Sequence, residues 1–224
     1  MMKKLPSLLI ALFSLVWLTG AGWLPLAGTA PAGGGTTAWN PADAGTGLTT
    51  SNGNLTVTNG AGFANTAIRA VASHTTGKYY YETHLDSSVS LNFLNQGFGN
   101  ASAGLALQPG SDANAMGYQP GSGPVRINSS IVATIQTSAV GDTLCLAIDL
   151  TNSKLWIRTN GGNWNNDILA NQNPATNTGG IPFTGLNAGP YFPMAGLVQS
   201  PDAITSNFGA TAYAQAVPSG FGNW

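Results

Sequence analysis

GDTLCLAIDLTNSKLWIRTNGG, residues 141–162, decides the reading of the whole chain. Residues 144–150 form a continuous apolar run whose one charge is Asp149. A run with no polar face implies a strand buried on both sides, as inside a two-sheet sandwich. Thr151-Asn152-Ser153 supplies turn chemistry, because Asn and Ser can bond their own backbone. Residues 154–159 then alternate: Leu155, Ile157 and Thr159 share one side, and Lys154, Trp156 and Arg158 the other. Asn160-Gly161-Gly162 closes the unit with residues that tolerate positive φ. The stretch predicts a β-hairpin at the centre of a sheet.

Working outward, strand patterns recur on both sides. Residues 48–58 carry two short strands around Ser51-Asn52-Gly53-Asn54, where Asn52-Gly53 is a strong hairpin signal. Residues 67–72 form another strand, with Arg69 in it. In residues 79–86, Tyr80, Glu82, His84 and Asp86 share one face, and Tyr79, Tyr81, Thr83 and Leu85 the other. Residues 89–93 and 103–107 are read as strands, with the glycines of 97–100 linking them. Residues 110–124 are rich in Gly, Ser and Pro and predict a surface loop around Tyr118. Asn128-Ser129-Ser130 joins strands at 125–127 and 131–135. Residues 163–186 are a long polar stretch, and 193–199 and 203–208 the last strands. Trp39 opens the domain, with Asn40-Pro41 as a turn. Turn signals at roughly 8–12-residue spacing suit an all-β sandwich.

Five stretches in this order resemble the SPRY domain. The hairpin fits G-D-x-h-x-h-A-h-D-L-x-x-x-K-L-W followed by N-G, where h is apolar. Gly77-Lys78-Tyr79-Tyr80-Tyr81-Glu82 resembles the family's G-K-x-Y-x-E strand. Residues 111–118 resemble its G-Y segment, Tyr191-Phe192-Pro193 its Y-F-P, and Asn207-Phe208-Gly209 its closing N-F-G. The order holds from about Trp39 to Trp224. The resemblance implies an antiparallel two-sheet sandwich of the concanavalin A type and a non-catalytic recognition module. With its two-lysine leader and low charge, the chain looks most like stand-alone members from bacteria and their phages.

The composition limits the partners. Charged residues make up 7% of the 224, against about 25% in ordinary soluble domains. The formal net charge is −1. So few cations cannot neutralise many phosphates, which argues against nucleic acid. Apolar residues at 43% suffice for a core. The length allows one sandwich plus a leader and no second domain of ordinary size. The one cysteine, Cys145, lies in the buried run and reads as a small core hydrophobe.

Catalytic patterns are missing. The sequence has no G-x-S-x-G and no H-E-x-x-H; its histidines are His74 and His84, and Glu82 is its one glutamate. Glu82, His84 and Asp86 form a polar stripe, but on a strand its ends are about 13 Å apart, too far for one metal ion. The expectation is therefore no enzyme, no cofactor and no metal site, with Glu82 held by backbone or tyrosine partners. Arg69 and Arg158 are expected to pair with carboxylates such as Asp149 or Glu82.

The candidate ligand-binding residues are Tyr118, Asn128, Asn163, Trp164 and Asn165. They fall in three segments, 110–124, 128–130 and 161–166, that leave strands the resemblance makes neighbours. Two fates are open for Trp164. A tryptophan among asparagines can stack on a sugar or fill a partner's pocket; it can also fold back and cap the sandwich. The expected partner is a protein or a cell-surface glycan. Homo-oligomer or virion assembly is also compatible, and a membrane is met only through a retained N-terminal segment.

Residues 1–32 read as a leader. Lys3 and Lys4 precede an apolar run over 8–18; Gly20, Gly22 and Pro25 follow, then Ala30-Pro31-Ala32. This is the pattern of a secretory signal peptide, and the run is short of the ~20 residues of a spanning helix. Residues 33–38 read as a flexible linker and 39–224 as the domain. A secreted or cell-envelope protein is the leading expectation; the alternative is a phage virion surface protein (a head decoration, fibre or tail accessory) docked through the apolar N-terminus. Expressed in a secreting bacterium, the chain should lose its first 21 to 32 residues, about one signal-peptide length. N-terminal sequencing of the mature protein checks this, and an intact Met1 would favour docking.

Overall fold

A computed structural model describes residues 37–224. The leader, residues 1–32, and positions 33–36 of the linker lie outside the described residues. Strands are numbered in chain order. The first sheet holds β1 (Trp39–Ala44), β4 (Ala67–Ala70), β6 (Leu94–Asn100), β7 (Ala115–Tyr118), β8 (Pro124–Ile127), β9 (Ser130–Thr134) and β13 (Tyr191–Leu197). The order across it is β1-β4-β13-β6-β7-β8-β9. The second sheet holds β2 (Leu48–Ser51), β3 (Thr56–Asn59), β5 (Lys78–Ser87), β10 (Thr143–Asp149), β11 (Lys154–Thr159), β12 (Ile181–Pro182) and β14 (Ala203–Asn207), in the order β12-β11-β10-β5-β14-β3-β2. All these pairs are antiparallel. A two-residue strand, β15 (Gly222–Asn223), adds to β5 in parallel at Tyr79 and Tyr80. The fold is the expected all-β, two-sheet antiparallel β-sandwich.

The hairpin of 141–162 forms as its pattern predicts but lies off the centre of its sheet: β11 is followed only by the two-residue β12, and β5 is the middle strand. β10 and β11 pair from Leu144–Thr159 to Asp149–Lys154, and β10 pairs on its other side with β5. Ser153 and Asn160 take positive φ at the two turns. Leu144, Leu146, Ile148, Leu155 and Ile157 face the first sheet. They meet Trp39, Phe98, Tyr118, Phe183 and Tyr191 in one core, which Trp224 also enters from the C-terminus. The Trp224 indole nitrogen donates to Ala72 O, and its ring lies edge-on to His74 and Tyr81.

Several local expectations are corrected. Residues 97–100 are strand, not linker: β6 runs through them between β13 and β7. Glycine serves there because a Cβ on Gly97 would stand 2.0 Å from Met116 O on β7. Residues 91–93 form a single 3₁₀ turn, and 103–107 have no strand structure. Trp39-Asn40-Pro41 belongs to β1, an edge strand whose pairing with β4 is irregular; proline is tolerated at such an edge. Thr37 and Ala38, read as linker, are bonded to the domain: Thr37 Oγ1 accepts from Ala72 N, and Ala38 O from Val71 N.

Each sheet carries a cover on its outer face. Residues 101–114 cross the first sheet, where Ala103 and Leu105 pack on Ala67, Ala115 and Met194. The C-terminal segment after β14 crosses the second. There Tyr213, Val217 and Phe221 join Tyr80, Cys145, Ala147, Trp156 and Trp164 in a second apolar cluster. That cover explains why β10 is apolar on both faces.

Glu82 anchors the C-terminal segment. Its side chain is on the outer face of β5 and the residue is 3% exposed. Oε1 accepts from Tyr80 Oη at 2.7 Å and from Gln215 N at 2.8 Å, and Oε2 accepts from Ala214 N at 2.8 Å. Tyr213 Oη donates to Tyr80 O, and Arg158 Nη2 to Ala216 O. Replacing Glu82 with Ala leaves two backbone N–H groups of the C-terminal segment and the buried Tyr80 hydroxyl without their acceptor. The expected cost is roughly 2–4 kcal/mol of folding stability, read by urea unfolding, with faster proteolysis within 209–221. An unchanged midpoint and an intact C-terminus would show that the cluster holds the segment without Glu82.

Candidate functional site

The five residues singled out from the sequence do not form one surface. Tyr118 is fully buried on the core side of β7; its hydroxyl donates to Gln136 O at 2.6 Å, and burial pushes its pKa up to about 12. Trp164 is 6% exposed and lies in the outer cluster of the second sheet, with the Arg158 guanidinium 4.3 Å from its ring centroid. It caps the sandwich. Neither aromatic ring stands out as a surface anchor, because each finds more apolar surface inside than a loop tip leaves it. Asn165 has φ +48 and spends its amide internally: Oδ1 accepts from Ile157 N, and Nδ2 donates to Gln172 Oε1. Asn128 and Asn163 are exposed, but on different sheets: Asn128 turns between β8 and β9, and Asn163 follows β11. The 128–129 turn does meet the 110–112 segment, through Asn128 N to Asp112 O and Ser129 N to Gly110 O.

The polar stripe on β5 is divided by the C-terminal segment. Glu82 is covered, whereas His84 and Asp86 stay solvated and pair with each other, Nδ1 to Oδ1 at 2.7 Å. Among the described residues no three His, Cys, Asp or Glu side chains stand close enough to hold a metal ion. The Cys145 thiol is buried, and desolvation raises its pKa, which disfavours the reactive thiolate. Of the two arginines, Arg69 has the expected carboxylate partner and Arg158 does not. Arg69 pairs with Asp43 at 2.6 Å, not with Asp149 or Glu82. Arg158 meets no carboxylate and lies over Trp164. Asp149 is met by Lys78 and by the backbone and amide of Asn152.

A different surface has the features of a binding edge. Three loops, at 60–66, 88–93 and 198–202, meet at the end of the sandwich where β3, β5 and β13 finish. Two buried polar residues lace them together. Asp202 is fully buried; its carboxylate accepts from Ser88 Oγ, Val89 N and Gln199 N, and its own carbonyl from Asn59 N. Asn59 Nδ2 donates to Leu197 O at 2.8 Å, and Asn59 Oδ1 accepts from Ala61 N. Backbone bonds complete the join, from Ala64 N to Val198 O and from Val198 N to Phe93 O.

On that frame stand side chains a folded core would hide. Phe63 is 67% exposed and packs edge-on against the partly exposed Phe93 ring, centroids 5.2 Å apart. Val89 is also exposed. Beside Phe63 lies a hollow of about 390 Å³ lined by Ala61 and Ala64 of the same loop and by Ala44, Thr46, Asn65 and Leu105. No charged side chain lines it. Sequence reasoning missed this edge, since it took 89–93 for a strand. The signal was an aromatic among turn residues, Asn59-Gly60-Ala61-Gly62-Phe63-Ala64-Asn65, the same signal that drew attention to Trp164.

The two aromatics are expected to behave oppositely. Trp164→Ala should cost roughly 3–5 kcal/mol of folding stability. Phe63→Ala should stay within about 0.5 kcal/mol of the parent, as surface changes do. Thermal melting of both variants checks the pair. A stable Trp164→Ala protein would overturn the capping assignment.

Known proteins were similar to this chain only in structure: no protein-family model matches it, and no curated protein matches it in sequence. The SPRY domain of human HERC1 superposes with a TM-score of 0.62 at 15% identity, over 78% of this chain and 99% of that one. The PSpry domain of TRIM65 gives 0.57 at 13% identity, over 77% and 92%. These similarities span whole domains, and the described residues therefore have the SPRY-like sandwich fold that the five sequence stretches resemble.

Proposed function

We propose that this chain is a non-catalytic recognition module and that its partner is a protein docking on the Phe63–Phe93 edge. The observation that carries the reading is the exposed aromatic pair held on a frame of buried hydrogen bonds. Two phenyl rings in water gain nothing for the folded chain; a partner that covers them gains their apolar area. The rigid mounting lowers the entropy lost on binding. The exposed groups at its centre, Phe63, Phe93 and Val89, are apolar, and the hollow beside them has no charged lining, which favours a protein side chain over a hydroxylated sugar. The rings meet edge-on and so offer no flat platform for sugar stacking. Export through the 1–32 leader belongs to the same reading and would bring the edge to proteins of the cell surface or its surroundings.

The test is retention of surface proteins from the native host on immobilised chain, with and without the rings. The parent should retain a defined partner, and a Phe63→Ala/Phe93→Ala variant should lose it, at about 2 kcal/mol or more of binding energy per anchor. The melting temperature of the variant should hold. Equal retention by both would overturn the edge as the binding surface, and a partner displaced by free oligosaccharide would redirect the reading to glycans.

A further inference from the structure

The cations of the described residues are Lys78, Lys154, Arg69, Arg126 and Arg158. Four have an evident role. Lys78 and Arg69 meet carboxylates. Lys154 donates to Asn177 O and lies over Trp156, and Arg158 lies over Trp164. Arg126 has neither a carboxylate nor a ring. Its guanidinium makes one long bond, from Nη1 to Ser129 O at 3.4 Å. In a chain with so few charges, an unpaired guanidinium is a conspicuous exception.

Arg126 sits in β8 between Val125 and Ile127, which face the core, so its side chain lies on the outer face of the first sheet. There it lines a polar hollow of about 270 Å³ with Asn95, Gln108, Ser111, Gln119 and Ser129. The 108–111 segment forms one wall, and glycines let it press onto the sheet. A Cβ on Gly117 would come 2.0 Å from Pro109 O. Gly110 has φ +92, and a Cβ there would come 2.8 Å from Arg126 O. Asn95, 4% exposed, ties the wall down by donating from Nδ2 to Pro109 O at 3.0 Å. Its Oδ1 is buried and has no hydrogen-bond partner.

The unused groups define the ligand. A guanidinium is a fork of donors suited to a carboxylate. Around it the Gln108 amide and the Ser111 hydroxyl make no intramolecular side-chain bond. Gln119 Nε2 is committed to Asn92 O, which leaves Gln119 Oε1 free to accept. A bare carboxylate needs donors only and would leave that acceptor idle. A ligand that carries hydroxyls beside its carboxylate uses donors and acceptors together. The geometry points to a binding site for an acidic sugar of the uronic acid class on the outer face of the first sheet, centred on Arg126. The site adjoins the 88–93 loop through the Gln119–Asn92 bond but shares no lining residue with the Phe63–Phe93 edge, and its test does not depend on that edge.

Titration calorimetry on the full chain tests this with methyl glucuronide, methyl glucoside, N-acetylaspartylamide and sodium sulfate. The glucuronide should bind at least tenfold more tightly than the neutral glucoside, and more weakly as salt is raised. Arg126→Gln should weaken it at least tenfold with an unchanged melting temperature. Arg126→Lys, which keeps the charge and loses the fork, should fall between. Gln108→Ala provides a second reading of the same site if Arg126→Gln fails to fold, with a several-fold loss expected. Equal affinity of parent and variants for the glucuronide would overturn the site. So would an acidic peptide group that binds as tightly as the sugar. Sulfate matching the glucuronide would mean an adventitious ion only, and would overturn it as well.

Discussion

A strand that is apolar on both faces cannot be satisfied by two layers, and β10 is such a strand. Packing against the first sheet hides Leu144, Leu146 and Ile148; Cys145 and Ala147 on the reverse still need cover. The cover is the C-terminal segment, and it stays in place because Glu82 accepts its Ala214 and Gln215 amides. A carboxylate bonded to backbone N–H groups makes stronger bonds than neutral acceptors do. The chain's single glutamate is thus a structural clamp under its own C-terminus.

The same economy recurs elsewhere. Charged residues are scarce, and most of the buried ones organise backbone. Asp202 gathers three donors at one end of the sandwich, Asp149 holds the β10–β11 turn, and Arg69 bonds Asp43 and the carbonyl of Ala103. Few charges therefore remain on the surface to steer a partner from a distance. Recognition by such a surface rests on shape, apolar contact and local hydrogen bonds.

Covering both sheets also decides where a partner can bind. The segment at 101–114 and the C-terminal segment occupy much of the two outer faces, leaving the loop end and the margins of the covers. Loops mounted on a rigid sandwich can differ in sequence without loss of fold. Low identity to the HERC1 and TRIM65 domains beside an agreeing fold is consistent with that division of labour.

The sequence by itself determined the architecture. Period-two alternation in β5 and β11, the unbroken apolar run of β10 and the Asn-Gly turns depend on near neighbours, and these set strands, hairpins and the sandwich. The chemistry of Glu82 was legible as well, since a lone carboxylate on a tyrosine-rich strand needs donors. Tertiary structure decided which loops face outward. Trp164 and Phe63 stand in the same kind of turn-rich setting, yet one folds onto Trp156 and Arg158 and the other stays in solvent. Tyr118, read as a loop residue, became core because β7 extends to it and β8 pairs beside it. The glycines at 97 and 99 looked like a linker and proved to be strand, because what they accommodate is the backbone and side chains of strands distant in sequence. The difference has one physical cause. Local pattern reports which side of an element is apolar, whereas the burial of a loop side chain depends on what the rest of the chain places over it.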